Sequence, residues 1–90
     1  MLSPISSSQF KRDVRKSESR GKQMDKLRTL LALLIEENPL PQTYRDHQLK
    51  GNWNGHREAH IEPDWLLIYR IDGTNIHLTR TGTHSDLFDL

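Results

Sequence analysis

The sequence predicts an α+β domain in which two N-terminal helices pack on one face of a small antiparallel β-sheet. Apolar residues recur at helical spacing as far as residue 35, and Pro39 and Pro41 then forbid the helix from continuing. From residue 57 onward the chain breaks into three short runs of strand character separated by turn residues. Ninety residues make one such domain, spanning 1–90, since the usual folding unit is about 100–200 residues. Its core must be small, because only 33% of residues are hydrophobic and 28% are charged. Leu, Ile, Val and Phe still make up 22 of the 90, above the roughly one-fifth below which chains tend to stay disordered.

The first five residues suit a short strand. Ser6-Ser7-Ser8-Gln9 then offers Ser6 as a helix N-cap, with Gln9 three positions on to return the hydrogen bond. This first helix has a thin apolar stripe, Phe10 and Val14, and its remaining surface is wet and cationic. Gly21 suits its C-terminal end and makes a tight turn into an antiparallel second helix, whose stripe is Met24, Leu27, Leu30, Leu31, Leu34 and Ile35. Residues 57–61 alternate, 65–71 are almost continuously apolar, and 75–80 alternate again, with reversals at Glu62-Pro63-Asp64 and Asp72-Gly73-Thr74. The middle run is apolar on both faces and is therefore central, with one face against the leucine-rich helix.

The absence of cysteine excludes disulfides, thiol catalysis and thiolate-metal sites. The longest apolar stretch, residues 27–35, is far short of the ~20 needed to span a bilayer, and the N-terminus lacks a signal-peptide core. The expected setting is the cytoplasm, without membrane contact. Charge is unevenly distributed: residues 1–35 hold eight Lys/Arg against three Asp/Glu, and the remainder five against nine. Such a basic segment attracts nucleic-acid phosphates, is covered by an acidic protein partner, or is simply a solvated helix face.

Five histidines in 90 residues invite a metal or an acid–base reading. The one HxxxH pair, His56 and His60, lies where the pattern is strand-like rather than helical, and no HExxH is present, so metal ligands would have to converge from separated segments, and no metal or other cofactor is expected. General acid–base work needs no fixed spacing, only groups that titrate near neutrality, and histidine is the first candidate. Phosphoryl transfer without a metal further needs a cation for the phosphate oxygens. Arg80 ends the last strand and His84 follows after Thr81-Gly82-Thr83, so the two approach one another at one edge of the sheet. A guanidinium suits bidentate phosphate contact, and an exposed strand-end arginine is the plainer alternative.

The stretch Asp46-His47-Gln48-Leu49-Lys50-Gly51, then Trp53, then residues 57–69 (REAHIEPDWLLIY) and 80–88 (RTGTHSDLF) resembles the YafQ branch of the RelE/ParE superfamily. Its members are the toxins of bacterial type II toxin–antitoxin pairs. The resemblance covers most of the chain from Leu40 onward and is architectural in the helical part. It implies a RelE-like fold, metal-independent cleavage of mRNA in the ribosomal A site, and a cognate antitoxin, the ribosome and mRNA as partners. Carried over residue by residue, the implied catalytic positions are His47, His60, Asp64, Arg80 and His84. Substrate contacts fall at Phe88, Trp65 and Lys50. His84 takes an acid–base role, His47, His60 and Asp64 the complementary proton transfer and orientation, and Arg80 the phosphate charge.

Aromatic rings at Phe88 and Trp65 suit stacking on an unpaired base, although Trp65 opens an apolar strand and fits the core as well. Trp53, His56 and His77 read as structural or exposed. Two other classes remain: a ParE-like toxin that binds DNA gyrase without nuclease activity, which the His/Asp/Arg set argues against, and a nucleic-acid-binding module with structural histidines.

Overall fold

A computed structural model describes residues 1–88. The chain runs β1 (Ser3–Ser6), α1 (Ser8–Ser19), α2 (Met24–Ile35), β2 (His47–Gln48), β3 (Arg57–Glu62), β4 (Trp65–Asp72), β5 (Asn75–Gly82) and α3 (His84–Phe88). The five strands form one sheet in the order β1-β5-β4-β3-β2. Both expected hairpins form, with turns at Pro63-Asp64 and Gly73-Thr74, and β4 is central. Gly73 takes φ +60°, which the two-residue loop demands and glycine tolerates.

Four elements depart from the sequence expectation. The sheet is mostly but not wholly antiparallel, because β1 pairs in parallel with β5, Ser3 opposite Asn75 through Ser6 opposite Leu78. β2 is a two-residue strand added to β3, and α3 is a third helix of five residues. The N-cap of α1 is Ser7 rather than Ser6: its Oγ accepts the Phe10 N–H at 2.9 Å. Gln9 does not return the bond but reaches forward to donate to Asp13. At the other end Gly21 (φ +84°) donates to the Glu18 carbonyl and Lys22 to that of Ser17, a left-handed C-terminal cap that turns the chain toward α2.

The strong alternation of β4 separates two layers. Trp65, Leu67 and Tyr69 face α1 and α2, packing with Phe10, Leu27, Leu30, Leu34, Ala59, Ile76 and Leu78. Leu66 and Ile68 face the other way, where Leu87 of α3 covers them beside Leu49, Trp53 and Phe88. Trp65 donates through Nε1 to Thr81 Oγ1 at 3.0 Å, and Thr81 donates on to the Leu66 carbonyl, so the one polar atom of this buried ring is satisfied. Among the described residues no helix is long and apolar enough to cross a membrane.

Two bulges set which side chains face which layer. An extra residue in β3 between His60 and Glu62 turns Glu62 to pair with Trp65, on the helix side, where it accepts from Lys22 (2.9 Å) and Lys26 (2.8 Å). A second shift, opposite Ile68 and Tyr69, makes Thr79 the extra residue of β5. Without it Arg80 would share the face of Ile76 and Leu78; with it Arg80 pairs with Ile68, on the face away from the helices.

Candidate active site

The face away from α1 and α2 collects the histidines. Directly opposed residues share a face, and the register runs His47 to Glu58, Glu58 to Ile68, and Ile68 to Arg80, one row across β2, β3, β4 and β5. The adjacent row holds His60, Leu66 and Gly82. α3 starts just past Gly82 and brings in His84 and Phe88. The four rings stand in line, with centroids 6.0 Å apart from His47 to His60, 6.0 Å from His60 to His84, and 6.4 Å from His84 to Phe88.

Each histidine is oriented differently. His47 engages the Arg45 carbonyl through Nδ1 at 2.8 Å, which makes Nδ1 the donor and leaves Nε2 as the lone-pair atom of the neutral ring. Arg45 closes a short 3-10 turn in the left-handed conformation (φ +48°), and Asp46 anchors the segment by accepting from Arg57 and the Tyr69 hydroxyl. Burial, with the Asp46 carboxylate beside it, pushes the Tyr69 hydroxyl far above its ordinary pKa, so it remains a donor there. His60 is largely enclosed, its side chain 14% exposed, with Nδ1 buried and without a hydrogen-bond partner. His84 is held twice by Asp64, whose Oδ1 accepts the backbone N–H at 2.9 Å and the ring Nδ1–H at 2.6 Å. These two bonds hold the Asp64 carboxyl below the usual carboxylate range, so it is an anion at neutral pH.

Glu58 was not singled out in the sequence. It is buried, and its Oε1 lies 3.6 Å from His47 Nε2 and 3.4 Å from His60 Nε2. In an alternating strand it reads as a solvent-facing charge; only the pairing of β2 with β3 reveals it between two imidazoles. Ligand atoms of His47, Glu58 and His60 all lie within 4.8 Å of one another, so the convergence that sequence spacing did not show is supplied by strand pairing. Two imidazoles and a carboxylate are a fitting donor set for a borderline divalent ion.

The remaining expected site residues divide. Arg80 is on the histidine face by register, and its guanidinium is already engaged: Nε and Nη2 donate to Asp13 at 2.7 and 3.2 Å. Asp13 also accepts the Thr81 N–H at 3.1 Å, so α1 takes the place of a strand along β5 beyond the end of β1. Arg80 is therefore aimed by a buried carboxylate rather than swinging free, and it is not on an edge strand. Phe88 is half-buried, its ring beside His84 and its base on the Leu66–Ile68–Leu87 cluster. Trp65 is 1% exposed and sits under the helices, which removes it from reach of a base and gives it the core role. Lys50 is exposed in the segment after β2. Trp53 packs on the second-face cluster with its ring edge-on to His56, and His77 lies in mid-strand beside Asp72.

The sequence profile described as "Bacterial toxin of type II toxin-antitoxin system, YafQ" matches residues 3–89. The chain is 48% identical over 83 residues to the mRNA interferase toxin YafQ of Escherichia coli K12, covering 91% of this chain and 90% of that protein. Among solved structures it superposes on the E. coli DinJ–YafQ complex with a TM-score of 0.91 at 45% identity, covering 98% of this chain and 99% of that one. A metal-bound toxin from Helicobacter pylori superposes with a TM-score of 0.91 at 37% identity, covering 98% and 100%. Profile, sequence and fold agree over nearly the whole length, and the chain belongs to the YafQ family of bacterial type II toxin–antitoxin toxins.

Proposed function

We propose that this toxin is a ribosome-dependent endoribonuclease of the cytoplasm that cuts mRNA in the ribosomal A site and is held inactive by a cognate antitoxin. The observation that carries the reading is the line His47–His60–His84–Phe88 on one face with Arg80, in a chain 48% identical to an mRNA interferase. The E. coli relative crystallised with DinJ supports the antitoxin partner.

The reaction is transesterification. A base takes the proton of a ribose 2′-OH, the oxygen bonds to the adjacent phosphorus, and the bond to the 5′-oxygen breaks as an acid protonates it. The products are a 2′,3′-cyclic phosphate and a 5′-hydroxyl. His84 and His47 are the proton carriers, because each has Nδ1 engaged and offers Nε2, and both are partly exposed. Asp64 supports His84 as it passes between neutral and charged forms, and Glu58 with His60 orients His47. Arg80 meets the charge on the phosphate oxygens, and Phe88 stacks on a neighbouring base. Lys50 and the exposed cations of α1, among them Lys11, Arg12 and Arg15, contact RNA phosphates. So open a site gains its specificity from the ribosome, which presents the message in a reactive geometry.

The test is to map mRNA 5′-ends after adding the purified chain to a translation reaction, beside the same RNA without ribosomes. In-frame cuts only where ribosomes are present support the reading, and intact RNA in both overturns it in favour of gyrase poisoning or simple binding.

The metal-bound H. pylori toxin favours one additional property. A divalent ion held by His47, Glu58 and His60 would withdraw one proton carrier, His47, together with the two groups that orient it, so added Zn²⁺ should slow cleavage and a chelator should restore it. Acceleration by the metal would contradict the metal-independent mechanism.

A further inference from the structure

We propose that Asp86 is a positioning residue of this site, clamping α3 against α1 so that His84 and Phe88 stay in line with His47 and His60. The inference rests on the ribonuclease reading and adds to it a residue that touches none of the reacting groups.

A helix of five residues does not hold together on its own propensity. Asp86 supplies two kinds of restraint. Its Oδ2 accepts the Thr83 N–H at 3.0 Å while Thr83 Oγ1 accepts the Asp86 N–H at 3.1 Å, a reciprocal box that closes the first turn. The same carboxylate crosses to the helical layer, taking Arg20 Nη1 at 2.7 Å, Arg20 Nη2 at 3.3 Å and Lys16 Nζ at 3.4 Å. The two-pronged guanidinium contact fixes direction as well as distance. Its side chain is 16% exposed where the Arg20 and Lys16 side chains are 40% and 55%, so the acid is the seated partner and the cations close over it. The Arg20 guanidinium and the Thr83 N–H hold the Asp86 carboxyl well below the usual carboxylate range, and the clamp is charged throughout neutral pH.

Gly82 shows how closely α3 is drawn down. A Cβ there would lie 2.9 Å from Asp86 Oδ2 and 3.0 Å from Asp86 Cβ. The Oδ2 contact would yield by a side-chain rotation; the Cβ contact yields only if α3 lifts. Helix α1 thus aims both halves of the site: Asp13 holds Arg80, and Arg20 with Lys16 holds the helix that carries His84.

The experiment uses the full chain and measures single-turnover cleavage on programmed ribosomes, ribosome affinity, and the NMR resonances of the histidine rings. Asp86→Asn keeps a cap acceptor and loses the charge; Arg20→Gln removes the other partner at the exposed C-cap of α1, where folding is retained. Each is expected to slow cleavage by bound toxin ~10–100-fold, the scale of an ångström-sized misplacement, with ribosome affinity unchanged. The double variant should be no slower than the worse single one, because the two act as a unit. Arg20→Lys should recover part of the rate. Gly82→Ala should reproduce the defect with both ionic partners intact. The His84 ring resonances should move in each impaired variant while those of His47 stay.

Wild-type rates in folded Asp86→Asn and Arg20→Gln, losses that multiply in the double variant, or unmoved His84 resonances would overturn the proposal. Moved His84 resonances in a chain whose wild type cuts no message would support the clamp and overturn the ribonuclease reading instead.

Discussion

The two faces of the sheet are built on different terms from one central strand. On the helix side Trp65, Leu67 and Tyr69 lie in a continuous apolar layer with three leucines of α2, and the polar tips of Trp65 and Tyr69 are matched by Thr81 and Asp46. On the other side Leu66 and Ile68 support a much smaller apolar patch, and around it stand three histidines, Glu58, Asp64 and Arg80. One face holds the fold together and the other is free to carry charge. Changes on the first should cost stability without altering chemistry, and changes on the second should do the reverse.

The largest expected effect is on the histidine face. His84→Ala should lower the single-turnover cleavage rate by ~10²–10⁴-fold, the usual worth of a positioned acid or base, while thermal unfolding stays near the wild-type midpoint. A full rate would remove His84 from the mechanism, and a lost fold would break the division between faces. Leu67→Ala is the converse. Removing this fully buried side chain should cost about 2–5 kcal/mol in urea unfolding, and the molecules that remain folded should cut at the wild-type rate.

Legibility in sequence followed the same division. The stripe of α2, the continuous apolar run of β4 and both hairpin turns come from local periodicity and turn chemistry, and these place the helix-side core. The parallel pairing of β1 with β5 joins residues 72 positions apart, and nothing local in Ser3–Ser6 announces it. Helix α3 is shorter than any periodic pattern, and its one local sign is Thr83 followed three residues later by Asp86. Family resemblance pointed to His47, His60, Asp64, Arg80 and His84. It did not show that Glu58 lies between two imidazoles or that Asp13 holds Arg80, because both depend on register and on the bulges at Ile61 and Thr79. Trp65 was ambiguous in sequence because an aromatic opening an apolar strand fits either role; the helices bury it.

Two smaller effects sharpen the comparison. Thr81→Val keeps the shape of the side chain and orphans Trp65 Nε1, and should cost about 1–3 kcal/mol in unfolding with no change in cleavage by folded molecules. The second is a dependence on pH that belongs to the seams between layers. Lys26 and Lys22 hold the Glu62 carboxyl below its ordinary range, the His84 N–H groups do so for Asp64, and Arg20 with Thr83 does so for Asp86. As pH falls the unfolded chain takes up these protons first. The stabilisation is therefore complete above the ordinary carboxylate range, about pH 4–5, and is lost progressively below it. Urea midpoints should be lower at about pH 3 than at about pH 6, and equal midpoints would contradict the pairings.

The most direct test of proton transfer by the histidine face is the chemistry of the cut ends. Message cleaved on programmed ribosomes by the purified chain, with a chelator present, should carry a 2′,3′-cyclic phosphate on the upstream fragment and a 5′-hydroxyl on the downstream one. A 3′-hydroxyl with a 5′-phosphate would mean that water rather than the ribose hydroxyl attacked, and would contradict the account.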